Sequence, residues 1–366
     1  MSPSKLAAFA QGELSSSQRG AMRTAACVLG ADGYLGQFVA RELARAGAFD
    51  AVLACGRKDT EQSYPELPSL RRTRPCDFAS TSSCDDLAKA TAGVNAPEVL
   101  RVVVNCAAMS APGACEKSPE AARLANAPRA LWLAIKREAT ARGEEPPLWI
   151  QLSTDHVYDG QSALSDESVT PSPVNAYGAS KVFCEESLLL EYDRAIVLRS
   201  SIITGPKAPF KRVERTLFLD FIAESFEKEG KTTFYEDEFR SPICVHDICR
   251  VVVGLSVMGQ PSTGQRVYNM GGPDRVNRVD MANGVAEYLA RGDSELEATY
   301  KSKITSASCA EAKQLRGVAA PPDISMDSSA LLRDVCRDWA PRSFRKQIEA
   351  AFESASARAT STSKKI

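Results

Sequence analysis

The sequence predicts an α/β fold, a parallel sheet with helices on both faces and a smaller C-terminal lobe. Three observations carry that prediction. Short apolar runs alternate with amphipathic helical segments through the first half of the chain. A glycine-rich turn follows the first apolar run and opens the first helix. After Ser201 the alternation gives way to mixed segments with charge runs such as Glu227-Lys228-Glu229 and Glu236-Asp237-Glu238, which read as solvated faces.

Ala25–Leu29 is a short strand of the buried type. Tyr34–Ala46 sets Leu35, Val39 and Leu43 at helical spacing. Ala51–Cys55, then Arg101–Cys106 with three consecutive valines, then Leu148–Leu152 and Ala195–Leu198 continue the strand series. This order is the doubly wound, Rossmann-type plan, with right-handed crossovers expected. Residues 24–200 are assigned to the nucleotide-binding core and 201–353 mainly to a substrate lobe. A late helix, Ser343–Phe352, is expected to pack back on the body. Residues 1–23, with Glu13 the only acid, read as a disordered extension, the alternative being an organelle transit peptide. The Ser-, Thr- and Ala-rich stretch 354–366 reads as a disordered tail.

The chain has 366 residues, 44% hydrophobic and 25% charged, which is enough to bury a core without staples. A formal net charge of −1 gives no general field for nucleic acid or anionic membrane. No apolar stretch is long enough to span a bilayer. The 11 cysteines are scattered, form no CxxC pair and have only His156 and His246 beside them, so no metal site is expected. They read as reduced thiols in a cytoplasmic setting.

The glycine loop runs Gly30-Ala31-Asp32-Gly33-Tyr34-Leu35-Gly36, spaced GxxGxxG between a strand and a helix. Gly30 permits the tight turn, Gly33 the approach of a pyrophosphate, and Gly36 close helix–strand packing. The helix N-terminus offers N–H groups to phosphates. Asp32, Tyr34 and Leu35 join the glycines as candidate cofactor contacts, the plain alternative being an ordinary glycine-rich turn. The second strand ends Cys55-Gly56-Arg57-Lys58. A carboxylate there would suit the ribose 2′-OH of NAD, whereas Arg57 and Lys58 suit a 2′-phosphate, so NADP(H) is expected. Asp77 is a candidate for the adenine side and Asn105 for the nicotinamide side, and Ala107 is a further candidate cofactor contact.

Tyr177 and Lys181 stand four residues apart, on one face of a helix. An ammonium nearby would lower the phenol's pKa toward neutrality and fit Tyr177 for proton exchange. Thr154 closes the Leu148–Leu152 strand and is expected at the sheet's carboxyl edge, where it would hydrogen-bond a substrate carbonyl.

The segments Leu152-Ser-Thr-Asp-His-Val-Tyr-Asp-Gly160, Pro173-Val-Asn-Ala-Tyr-Gly-Ala-Ser-Lys181, Leu198-Arg-Ser-Ser-Ile-Ile-Thr-Gly205 and Asp237-Glu-Phe-Arg-Ser-Pro242 carry a resemblance. Asp247, Asn105-Cys-Ala-Ala108, Cys115-Glu116 and Asn126 add to it. The chain resembles the extended short-chain dehydrogenase/reductases, in the branch of dTDP-4-dehydrorhamnose reductase and the regulatory beta subunit of methionine adenosyltransferase. The resemblance implies a catalytic triad of Thr154, Tyr177 and Lys181. It implies NADPH-dependent reduction of a 4-keto group on a nucleotide-linked deoxysugar, as in dTDP-rhamnose biosynthesis. Asp155, His156, Val157 and Arg240 fall where it implies a sugar pocket, although His156 replaces a usual Tyr and Arg240 is unexpectedly large. Members often pair, so a homodimer is implied.

The same motifs suit a second role, a regulatory subunit that binds NADP(H) and the methionine adenosyltransferase catalytic subunit in S-adenosylmethionine synthesis. The tail 354–366 offers only Ile366 as an apolar docking anchor, which argues mildly against it. A third reading is an NAD-retaining epimerase or dehydratase. A dehydratase of the resembled family has an Asp-Glu pair after the strand-end Thr, and here His156 follows Asp155. A redox-sensing protein that only binds NADP(H) also fits.

Overall fold

The computed structural model describes residues 23–58, 64–311 and 317–362, with 354–362 as backbone only. The expectation for residues 1–22 lies outside the described residues. In chain order the elements are β1 (Thr24–Leu29), α1 (Tyr34–Ala46), β2 (Ala51–Cys55), β3 (Leu70–Arg72), α2 (Thr81–Ala92), β4 (Val99–Asn105), α3 (Pro112–Lys117), α4 (Pro119–Asn126) and α5 (Arg129–Ala141). They continue with β5 (Leu148–Thr154), α6 (Ala176–Glu191), β6 (Ala195–Ser200), β7 (Ile203–Thr204), α7 (Phe218–Glu227), β8 (Thr232–Tyr235), β9 (Ile243–Cys244) and α8 (Val245–Met258). The last are β10 (Val267–Met270), α9 (Arg278–Ala290), α10 (Ser294–Ser302), β11 (Ile304–Ala307), α11 (Ser329–Asp334) and α12 (Phe344–Thr362).

Seven strands form one parallel sheet in the order β10-β6-β5-β4-β1-β2-β3. The order reverses direction between β1 and β4. In such sheets that switch point opens a crevice at the strands' carboxyl ends, and ligands bind there. β1 is buried on both faces, as a central parallel strand must be. Ala26 and Val28 face a core with Phe38, Val39, Leu43 and Val252, where α1 packs on α8. Ala25, Cys27 and Leu29 face the opposite core with Leu87, Leu131 and Trp132, where α2 packs on α5. The helix α1 ends at Gly47, whose φ of 64° and bond from its N–H to the Ala44 carbonyl make a left-handed cap.

A third core, with Ile222, Phe226, Phe234, Met281, Val285, Phe344 and Ile348, joins α7, β8, α9 and α12 into the C-terminal lobe. The boundary expected at residue 200 is crossed more than once. β10 returns to hydrogen-bond β6, and α8 returns to cover α1. α12 runs on through 354–362, where the sequence suggests a structureless tail, and residues 363–366 lie outside those described. All eleven cysteines are free thiols.

Candidate active site

The glycine loop is a cradle that side chains would fill. Gly30 has φ +71°, and a Cβ on it would lie 2.6 Å from the Ala107 nitrogen. A Cβ on Gly36 would lie 2.1 Å from the Gly30 carbonyl oxygen, so only glycine lets α1 start against the turn. Gly33 precedes α1 and gives the helix no side-chain cap, which leaves first-turn N–H groups for an anion. These features fit a dinucleotide's pyrophosphate. Ala107 closes the cradle from the end of β4, its N–H held by Asn105 Oδ1 at 3.1 Å. Asn105 itself is fully buried and donates to Gln151 Oε1 at 2.9 Å, so it frames the loop from inside the sheet instead of facing a ligand.

Arg57 and Lys58 are exposed beyond the carboxyl end of β2. The structure adds two cations to them. Arg72, the last residue of β3, forks onto the Asp32 carboxylate at 2.8 and 3.2 Å. Lys211 reaches the same carboxylate at 2.6 Å from the segment 205–215. Burial opposes the Asp32 charge, and the bonds from Arg72 and Lys211 outweigh it, so its carboxyl titrates below the usual range. Tyr34 holds the 205–215 segment by donating to the Pro206 carbonyl at 2.8 Å, while the Leu35 side chain turns into the core. Asp77 is an exposed turn residue whose Oδ1 accepts from the Ala79 N–H ahead of α2.

Thr154, at the end of β5, meets Tyr177, near the start of α6. The Thr154 hydroxyl lies near enough to the Tyr177 phenol to favour its ionised form. Thr154 Oγ1 also donates to Asp155 Oδ1 at 3.0 Å and accepts from the His156 N–H at 3.2 Å. Asn175 caps α6 by accepting from the Gly178 N–H at 2.9 Å, and Glu116 accepts from the Ala176 N–H at 2.7 Å. A Cβ on Gly178 would lie 2.2 Å from the His156 carbonyl oxygen, so the helix start presses directly on the strand end. From the last position of α4, Asn126 reaches Ser180 Oγ at 2.7 Å and the Met109 carbonyl at 3.2 Å. Tyr177 is thus fixed from three sides.

Lys181 is buried, and its Nζ donates to the Leu152 carbonyl at 2.6 Å. Burial lowers its pKa. The Tyr177 hydroxyl does not titrate toward neutrality as expected. Burial pushes it up to about 12, against the lowering influence of the nearby Thr154 hydroxyl. In this state desolvation outweighs any help from the ammonium, which is turned toward Leu152. Arg215 donates to Ser110 Oγ at 2.7 Å, and its charge favours the Tyr177 phenolate.

The expected sugar-pocket residues divide. His156 is partly buried, its ring edge-on to Tyr177 at 5.5 Å and its Nδ1 3.2 Å from Asn175 Nδ2. Burial lowers its pKa to about 4, so the ring is neutral at physiological pH. Asp155 is 3% exposed, its second oxygen taking a bond from Ser201 Oγ at 2.7 Å, so it positions Thr154 instead of lining the cleft. Val157 has no exposure and packs with Tyr158, Ile324 and Met326. Arg240 is 1% exposed and spends its guanidinium on Glu238 at 3.0 Å and on the Phe239, Pro321 and Pro322 carbonyls. Neither Val157 nor Arg240 reaches a ligand here. The chain hides them because residues 321–326 fold back over this corner.

Sequence reasoning missed Arg72, Lys211, Arg215 and Glu185. Glu185 had a signal, standing one turn after Lys181 on the same helix face. Arg72 sits in a visible basic run, Arg71-Arg72-Thr73-Arg74. Lys211 and Arg215 had none, because only the tertiary path of 205–215 brings them to the glycine loop and the cleft.

The family model for the RmlD substrate binding domain matches residues 24–354. The chain belongs to the RmlD substrate-binding domain family. Within it, this chain is 27% identical over 270 residues to methionine adenosyltransferase 2 subunit beta of Danio rerio, covering 74% of this chain and 75% of the relative. It is 28% identical to the Xenopus tropicalis subunit over 197 residues, covering 53% of this chain and 56% of that protein, less than two thirds of its length. Among solved structures, dTDP-4-dehydrorhamnose reductase of Bacillus anthracis, in complex with NADP, superposes with a TM-score of 0.66 at 18% identity, covering 91% of this chain and 100% of that one. UDP-glucuronic acid 4-epimerase of Bacillus cereus, with UDP-glucuronic acid and NAD, gives 0.68 at 16%, covering 90% and 98%. These likenesses establish the α/β fold of this family member. Among the described residues no helix is long and apolar enough to cross a membrane.

Proposed function

We propose that the protein is an NADPH-dependent reductase of a keto group on a nucleotide-linked deoxysugar, similar to dTDP-4-dehydrorhamnose reductase. The observation that supports it most is the Thr154–Tyr177 contact, with Lys181 buried one turn on, at the sheet edge beside the glycine cradle. Bound NADPH would supply the hydride to the carbonyl carbon. Tyr177, protonated at neutral pH, donates its proton to the carbonyl oxygen as negative charge builds there. Thr154 donates to the same oxygen once its hydroxyl turns from Asp155 Oδ1, which it holds at 3.0 Å in the free protein. The Lys181 ammonium, on the same helix face, stabilises the phenolate left behind, and solvent returns the proton. Arg57 and Lys58 favour the phosphorylated dinucleotide.

The curated relatives at 27–28% identity support a second reading, an NADP-binding regulatory partner of methionine adenosyltransferase. The deciding experiment mixes purified protein, NADPH and dTDP-4-dehydro-L-rhamnose and follows absorbance at the nicotinamide band, with Tyr177→Phe beside it. Turnover that vanishes in the variant supports the reductase. Tight NADPH binding without turnover moves the weight to the regulator, tested next by pull-down with the adenosyltransferase.

A further inference from the structure

Asp32 is a carboxylate at the centre of a site that the reading above assigns to a phosphate. Its two oxygens take Arg72 at 2.8 and 3.2 Å and Lys211 at 2.6 Å. The three residues come from three separate places, the loop after β1, the end of β3 and the 205–215 segment. Gly56 makes the room, since a Cβ there would lie 1.8 Å from Asp32 Oδ2. Arg72 is largely buried, and its guanidinium is further held by the Lys58 carbonyl at 3.3 Å. Arg57 and Lys58 stand next to Gly56. Two cations, Arg72 and Lys211, therefore meet on one carboxylate near the carboxyl end of β2.

We propose that Asp32 is a built-in competitor for the adenosine 2′-phosphate of the dinucleotide. Arg72 and Lys211 exchange the Asp32 carboxylate for the phosphate, and Asp32 sets how far the phosphorylated form is preferred. The inference rests on the NADP reading and assigns it residues. A phosphate monoester offers three acceptor oxygens and nearly twice the charge of a carboxylate, which suits an Arg fork plus a Lys point charge. The exchange leaves Asp32 ionised beside the phosphate, and that repulsion subtracts from the gain. An unphosphorylated dinucleotide leaves the ion triad intact. No lid motion is needed. The Lys211 backbone is pinned by Gln37, whose Oε1 accepts its N–H at 2.9 Å and whose Nε2 donates to its carbonyl at 3.1 Å. Only the Lys211 and Arg72 side chains change partner.

The test is calorimetric titration of the full chain with adenosine 2′,5′-bisphosphate and with ADP, then with NADPH and NADH. Wild type is compared with Asp32→Asn, Lys211→Gln and Arg72→Gln, each first checked for a native melt. Expected for Asp32→Asn is bisphosphate binding tightened about tenfold, the worth of one charge-assisted contact, with ADP unchanged. Expected for Lys211→Gln is a comparable loss for bisphosphate and NADPH only. If Arg72→Gln fails to fold, the Asp32 and Lys211 variants carry the result alone. Asp32→Asn that leaves the bisphosphate-to-ADP ratio unchanged or lowers it overturns the competitor while the NADP reading stands. So does Lys211→Gln that weakens both ligands equally. Wild type that prefers ADP and NADH, or binds no dinucleotide, overturns both.

Discussion

Glu185 and Arg199 form a buried ion pair one helical turn beyond Lys181, with Arg199 Nη2 2.7 Å from Glu185 Oε2 and both side chains about 5% exposed or less. The pair is not isolated. Ser153, beside Thr154 on β5, donates to Glu185, and Arg199 reaches the Tyr158 hydroxyl at 3.0 Å, which donates to Asn269 Oδ1 at 2.8 Å. This network ties the helix that carries Tyr177 to β5, β6 and β10.

Breaking that pair is expected to be costly, because one charge stays behind in the core. Glu185→Ala should lower stability by about 3–5 kcal/mol in a urea melt. The double substitution Glu185→Leu with Arg199→Met should recover much of it. A loss below about 1 kcal/mol for Glu185→Ala would show that the network matters little.

Tyr177→Phe is expected to lower kcat by about 10²–10⁴-fold, the usual worth of a positioned proton donor, while leaving dinucleotide affinity near wild type. A variant that keeps full turnover would remove Tyr177 from the chemistry. One that loses dinucleotide binding would assign it to binding instead.

His156 makes stability depend on pH. Its folded pKa, about 4, lies below the unfolded value of roughly 6.5. Between those values the unfolded chain binds more protons, so the contribution is full above pH ~6.5 and is lost as pH falls toward 4. Asp155 and Glu238 oppose that lowering, and Arg240 and Arg278 reinforce it. Melts of His156→Gln between these limits should be flatter with pH than wild type. Parallel curves would contradict the assignment.

Gly36→Ala is expected to abolish dinucleotide binding or folding, since its methyl would lie 2.1 Å from the Gly30 carbonyl oxygen, a backbone atom that cannot step aside. Gly113→Ala, whose nearest neighbour would be a Val318 methyl at 3.8 Å, is the matched control and should be silent in both melt and titration.

The sequence by itself determined the parallel sheet, the glycine cradle and the placing of Tyr177 and Lys181 on one helix face. Each of these is written in local spacing. Strand runs, a GxxGxxG turn and an i, i+4 pair keep their geometry wherever they are placed. Tertiary structure alone decided which charged side chains face a ligand. Arg240 and Val157 sit in motif-like stretches yet are sealed by residues 321–326, and Asp155 points to Ser201 instead of the cleft. Arg72 and Lys211 meet at Asp32 though they are far apart in the chain. The titration of Tyr177 was decided the same way, since desolvation depends on everything packed around a group, and spacing records only its neighbours on one helix.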